Sequence, residues 1–144
     1  MDIFEALRLI AATGCGIQIG GFLLLSLFHK PLFDNWPDDM GISWLFKRFY
    51  RFNTVISIIS GVIAILGEAR AAGFLLAILG MSYTLLLTHL MPALLNQNRL
   101  IDAKTNLDLR RSPKEIINIL GKTQQITHFC QLSVLIYIIY MLLN

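Results

Sequence analysis

Charge is scarce in this chain. Only 15% of its 144 residues are Asp, Glu, Lys or Arg, while 56% are hydrophobic. A soluble domain is nearer a quarter charged, so the bulk of the chain is not expected to face water. Catalytic signatures are missing as well. The chain has no phosphate-binding glycine loop, no nucleophile elbow, no HExxH and no dense carboxylate pair inside an apolar stretch, which excludes an ATPase or a zinc protease and leaves an enzyme the weaker expectation. A cleavable leader is not expected either. The start, Met1-Asp2-Ile3-Phe4-Glu5, is acidic rather than basic, and no small-x-small site follows the first apolar run, so that run reads as a retained span.

What the chain does have is apolar length. Four stretches, roughly 8–28, 49–66, 74–95 and 123–143, are each about 20 residues long, enough to cross a ~30 Å hydrocarbon core. The expected fold is all-α, a single four-transmembrane-helix bundle running up-down-up-down. Mean hydropathy is +0.64. Lys30, Lys47, Arg48, Arg51, Arg99, Lys104, Arg110, Arg111, Lys114 and Lys122 all fall on one side of this plan, and only Arg8 and Arg70 on the other. That asymmetry is the pattern of cytoplasmic loops. It predicts loops 29–48 and 96–122 in the cytoplasm and both termini outside, on the outer face of a bacterial inner membrane or its equivalent. A pI near 9.1 is thereby explained by topology and anionic headgroups, not by nucleic acid. The only cysteines, Cys15 and Cys130, lie inside the first and fourth stretches, about 10 Å from opposite faces by helical rise. A disulfide needs Cα atoms within ~7 Å, so both are read as buried apolar thiols.

Small residues mark the packing faces. Gly16 and Gly20 form a GxxxG spacing in the first span, and such spacings let backbones approach in lipid. The second span carries Asn53, Ser57, Gly61, Ala64 and Glu68 along one narrow face, and the third carries Gly73, Ala77, Gly80, Thr84 and Thr88. Gly16, Gly20, Gly61 and Gly80 are thus the expected helix-packing positions. Trp44-Leu45-Phe46-Lys47-Arg48-Phe49-Tyr50-Arg51-Phe52 interleaves rings with cations, as an interfacial aromatic belt does. Ser112-Pro113-Lys114-Glu115 fits a capping box with proline at the first helical position, so a helix is expected to start there and run into the fourth span. Leu23–Pro31 resembles Leu85–Pro92, as two related helical hairpins in parallel orientation would produce.

Polar groups inside spans are costly and usually face a partner or water. His29, Arg51, Asn53, Asn96, Gln124 and Gln131 fall toward the basic side, with His89 and His128 about five residues inside their spans. They are expected to line a polar pocket on that side. One reading makes it a hydrogen-bonded, interfacially hydrated seam of a small bundle. Such a bundle would be an accessory subunit of a membrane complex, or a small-solute or metal-handling protein, surrounded by lipid bilayer and assembled as a homo-oligomer or within a larger complex. The alternative is a redox protein with haem b held by His89 and His128, since bis-imidazole ligation needs two histidines at similar depth. Copper bound by the histidines with Cys130 or a methionine is a third option. It lacks a close ligand pair, because His128 and Cys130, two apart, point to different faces.

Several segments taken together resemble a known family, the small four-helix membrane proteins typified by transmembrane protein 205, whose bacterial members form a domain of unknown function. The segments are Gly20-Gly21 with Pro31-Leu32-Phe33; Leu45–Phe52, similar to the family's Leu-Phe-x-x-Tyr-Phe start of the second span; and Pro92-Ala93-Leu94-Leu95-Asn96 with Asp102, then Gln131-Leu132-Ser133-Val134. The resemblance implies four spans in the same topology, and the family's links are to drug or metal resistance. This chain departs from the family at one place. The family sets a histidine three residues before the matched serine, where this chain has Cys130, with His128 two residues earlier.

Overall fold

The computed structural model describes the backbone of residues 2–35, 39–93 and 113–144, and the side-chain surroundings of 2–25, 44–93 and 119–144. Among the described residues four long helices make up the fold: α1 Ile3–Asn35, α2 Asp39–Leu66, α3 Arg70–Leu85 continued by a π-helical turn at Leu86–Leu90, and α4 Pro113–Leu143. Each is long and apolar enough to cross a membrane; the apolar segments are Ile3–Leu25, Trp44–Leu66, Arg70–Ala93 and Ile119–Leu143. The chain is therefore an all-α four-helix bundle, with no strand among the described residues. The helices form a ring in chain order. α2 packs most extensively on α3, and α1 on α2 and on α4 more than α3 on α4.

The interior mixes apolar and ring side chains with polar and small ones, and the exterior is apolar. Gln18, Asn53, Ser57, Ser60 and Gln131 are buried, whereas Ile58, Ile59, Phe74, Ile78, Met81, Ile126, Phe129 and Ile136 are exposed. Water would reverse that arrangement. Lipid permits it, because hydrocarbon solvates leucine and phenylalanine as well as a protein core does, and association then rests on close packing and hydrogen bonds.

Helix ends differ from the expected spans for identifiable reasons. α1 starts at Ile3 rather than near Arg8, because Asp2 caps it. The Ile3 amide donates to Asp2 Oδ1 at 2.6 Å, and the Asp2 amide donates to Glu5 Oε2 at 3.0 Å, the latter being the glutamate half of a capping box. Arg8 is not an end marker. Its Nε donates to the Gly67 carbonyl at 2.8 Å, tying α1 to the C-terminal end of α2, where orphan carbonyls carry the negative end of the helix dipole. α2 starts ten residues before its expected boundary, so the ring-and-cation segment is helical and two-faced. Phe46 and Tyr50 are buried core, while Trp44 and Phe52 remain exposed. α4 starts at Pro113, at the expected capping box, and continues without a break through Gly121.

The α2–α3 turn is a Schellman motif. The Ala69 amide donates to the Ala64 carbonyl at 2.9 Å and the Glu68 amide to the Ile65 carbonyl at 3.0 Å, the paired bonds that define this cap. Its left-handed position is occupied by Glu68 at φ 63°, where glycine is the usual choice. The π-turn at the other end of α3 precedes Pro92. Proline has no N–H to give, and its ring would strike the carbonyl four residues back, so widening the preceding turn relieves the clash. The two similar segments differ here, since Leu23–Pro31 is regular α-helix throughout.

Glycine contacts divide the expected packing positions into those covered by another helix of the chain and those left open. A Cβ on Gly61 would stand 3.2 Å from the Gly73 carbonyl, and one on Gly80 3.5 Å from Ser57 Cβ; Gly16 and Gly20 meet nothing within 4 Å. On α1 the close glycines are Gly14, against Ser60, and Gly21, whose Cβ would lie 3.2 Å from the Phe49 ring. Glycine spacing identifies a face that permits approach, and the direction each neighbour takes decides which face is used. Cys15 is buried as expected, but Cys130 is exposed on the outer, apolar side of α4, so it is a surface thiol rather than a core one. Both are free.

Candidate functional site

The buried seam of α2 carries Tyr50, Asn53, Ser57, Ser60 and Ala64, spaced three to four residues apart so that one face points inward. Gln18 of α1, Tyr83 of α3 and Gln131 of α4 are buried opposite it. Five of these groups, Tyr50, Asn53, Ser57, Gln18 and Tyr83, are essentially inaccessible. They form a polar layer across the bundle, remote from the α2–α3 turn by roughly 15–25 Å at 1.5 Å per residue.

Within this layer, three sets of bonds between described residues cross from helix to helix. Gln124 Nε2 donates to Tyr50 Oη at 2.7 Å, and Tyr50 Oη lies 2.8 Å from His128 Nε2. An amide NH₂ can only donate, so Tyr50 Oη accepts from Gln124 and has its own proton to give to His128. In the neutral ring this assignment places the histidine proton on Nδ1. Ser57 Oγ donates to Gln18 Oε1 at 3.0 Å, joining α2 to α1. Gln131 Nε2 donates to Ser82 Oγ at 2.7 Å, and Ser82 Oγ donates to the Leu79 carbonyl at 2.8 Å, joining α4 to α3.

Five buried polar atoms in the same layer have no protein partner among the described residues: Gln18 Nε2, Asn53 Nδ2 and Oδ1, Tyr83 Oη and Gln131 Oε1. Leaving a buried donor or acceptor unpaired costs about 1–3 kcal/mol each, and groups of this kind ordinarily pair with protein or with ordered water. Donors and acceptors are both present, and the layer holds no charged side chain. Around it stand rings. Phe22 meets Phe49 at 5.0 Å, His128 at 5.3 Å and Tyr83 at 6.0 Å between centroids, and Tyr50 meets His128 at 5.7 Å.

The expected site residues are distributed unevenly. Asn53 and Gln131 are buried in the layer, and Gln124 and His128 are half-buried at its edge. Arg51 is exposed, on the other side of α2 from Tyr50. Asn96 lies outside the described residues, as does the side chain of His29. His89 and His128, offered together as haem ligands, have different surroundings. His89 is exposed in the π-turn, in an open groove with Ser82, Leu86, Leu90, Leu120 and Thr127, while His128 Nε2 faces Tyr50. Among the described residues no three of His, Cys, Asp or Glu come together as a metal site would require.

Tyr50, Tyr83, Gln18, Ser57 and Phe22 were not expected as site residues. Extending the polar face of the second span one step back from Asn53 leads to Tyr50, and Gln18 stands in mid-span in α1. Tyr83 and Phe22 give no such signal, since a ring inside a span is ordinarily core. Comparison of the chain with family models, with curated proteins and with solved structures finds no match, so the polar layer itself must carry the functional reading.

Proposed function

We propose that this chain is a non-catalytic multi-pass membrane protein that handles a small, uncharged, hydrogen-bonding solute at the polar layer. It works as a homo-oligomer or as an accessory subunit of a larger membrane complex, because four helices of this length enclose little volume alone. The observation that supports this reading is the set of five unpartnered buried atoms on Gln18, Asn53, Tyr83 and Gln131. A solute bearing both donors and acceptors satisfies such a set, whereas an ion meets no countercharge there. The excess of Lys and Arg in loops 29–48 and 96–122 supports a cytoplasmic position for those loops, with the termini outside. The resemblance to the transmembrane protein 205 family supports the same topology.

Stopped-flow uptake of urea and glycerol by proteoliposomes tests the solute reading. Uptake above protein-free vesicles, reduced in Asn53→Leu, is the expected result; rates equal to empty vesicles, with no thermal shift of the detergent-purified protein by either solute, would sink it. An absorption spectrum and metal analysis separate the cofactor readings. A Soret band lost in both His89→Ala and His128→Ala would replace the solute site with a bis-histidine haem site. Cysteine labelling from outside at Glu68→Cys, but not at Ser112→Cys, is expected from the topology, and the reverse pattern would invert it.

A further inference from the structure

A groove between α1 and α2 opens on the outer surface of the bundle, at the end where α2 enters its apolar segment. Gly21, Leu24, Leu45, Arg48, Phe49 and Phe52 line it, and its volume is about 440 Å³. Gly21 keeps it open, since a Cβ there would stand 3.2 Å from the Phe49 ring. Leu24 and Phe52 are exposed on its rim, so in a bilayer its occupant is hydrocarbon. Among the described residues its one charged wall is Arg48, whose guanidinium carbon sits 3.9 Å from the centroid of the Trp44 ring. A tryptophan and an arginine stacked where a span begins stand at headgroup level. Among the described residues no carboxylate pairs with Arg48. Lys47 and Arg51 lie within the same turn.

We infer that this groove is a binding site for an anionic phospholipid, one acyl chain lying along Gly21, Leu24 and Phe52 and the phosphate meeting Arg48. The guanidinium offers a planar fork of N–H donors that matches phosphate oxygens two at a time. Stacking on Trp44 holds that fork in place beside the apolar channel, which a diffuse basic surface does not do. The flanking Lys47 and Arg51 add charge that favours an anionic over a zwitterionic headgroup.

The test is lipid titration of the detergent-purified protein, read by native mass spectrometry and by melting temperature, with phosphatidylglycerol, phosphatidylcholine and inorganic phosphate as probes. Phosphatidylglycerol is expected to bind about fivefold more tightly than phosphatidylcholine, the scale of one basic residue at a membrane surface. Arg48→Gln should abolish that preference. Leu24→Trp, which fills the groove from its rim, should weaken both lipids, and Lys122→Gln, a cation on α4, should leave the preference intact. Equal binding of the two lipids, or an Arg48→Gln protein that keeps the wild-type preference, overturns the site. A loss in Lys122→Gln as large as in Arg48→Gln also overturns it, in favour of diffuse attraction, and a shift by inorganic phosphate equal to that by the lipid overturns the lipid assignment. Lipid selectivity is read independently of solute uptake, so either result stands without the other.

Discussion

Near the α2–α3 turn the helices meet through small residues; away from it rings and amides fill the interior. In the first region Gly61 faces the Gly73 carbonyl, and Ala11, Cys15, Ala64, Ala72 and Leu76 are buried around them. In the second, Phe22, Phe46, Tyr50 and Tyr83 are buried with Asn53 and Gln131. The two regions use different physics. Where backbones touch, many weak dispersion contacts accumulate and little polarity is needed. Where bulky rings line the interior, the space between them is filled by hydrogen-bonding groups, some of which have no partner among the described residues. The bundle is thus packed through small groups at one end and carries unpaired buried polar groups at the other.

The comparison breaks most readily at the tight end. Gly73→Leu forces a side chain into Ile65 and the Gly61 carbonyl. Overpacking of this kind costs typically 1–3 kcal/mol and more when backbone must move. Chemical unfolding in detergent should show a loss of about 3 kcal/mol, or no folded protein; a loss below ~1 kcal/mol would mean that the helices separate easily and the regions do not differ as described.

At the receptive end Tyr50→Phe removes one oxygen and strands the Gln124 amide. The expected loss is roughly 1–2 kcal/mol, larger than the ~0.6 kcal/mol average for an interhelical bond because the half-buried Gln124 amide and the His128 ring both lose the hydroxyl that joins them to α2. Combining it with Gln124→Leu should recover part of that loss, and a strictly additive double variant would show that the two groups are not coupled.

Asn53→Leu tests the difference in sign. Both amide atoms of Asn53 lack a protein partner, so a side chain of similar size without polarity should raise stability by about 1 kcal/mol while solute uptake falls. A destabilised variant would show that Asn53 is engaged structurally. The smallest effect is expected in the turn, where Glu68→Gly removes the left-handed strain of a residue with a Cβ and should add roughly 0.5–1 kcal/mol in the same unfolding measurement.

Much of this was legible in the chain, for particular reasons. The four spans are readable because lipid demands length and apolarity in continuous runs. The start of α4 is readable because a capping box is a local pattern. The polar face of α2 is readable because 3.6-residue periodicity places Asn53, Ser57 and Ala64 together. Gly16 and Gly20 mark a smooth face that, among the described residues, no other helix of this chain covers; spacing does not say which helix lies against a face. Arg8 misleads because its partner, the Gly67 carbonyl, is 59 residues away. The ring-and-cation segment reads as a belt from composition, and only its helical phase sorts Phe46 and Tyr50 inward from Trp44 and Phe52 outward.

By itself, the amino-acid sequence determined that the chain forms four apolar helices with a strong charge bias between their connections, since both follow from local composition against a ~30 Å hydrocarbon layer. The tertiary structure alone decided which polar groups meet. Tyr50 finds Gln124 and His128 across more than 70 positions, and Gln18, Asn53, Tyr83 and Gln131 come from four different helices into one layer. That outcome depends on how each helix is rotated about its axis, and the rotation is set by contacts such as Gly61 on Gly73 and Gly14 on Ser60, which exist only once the helices have packed.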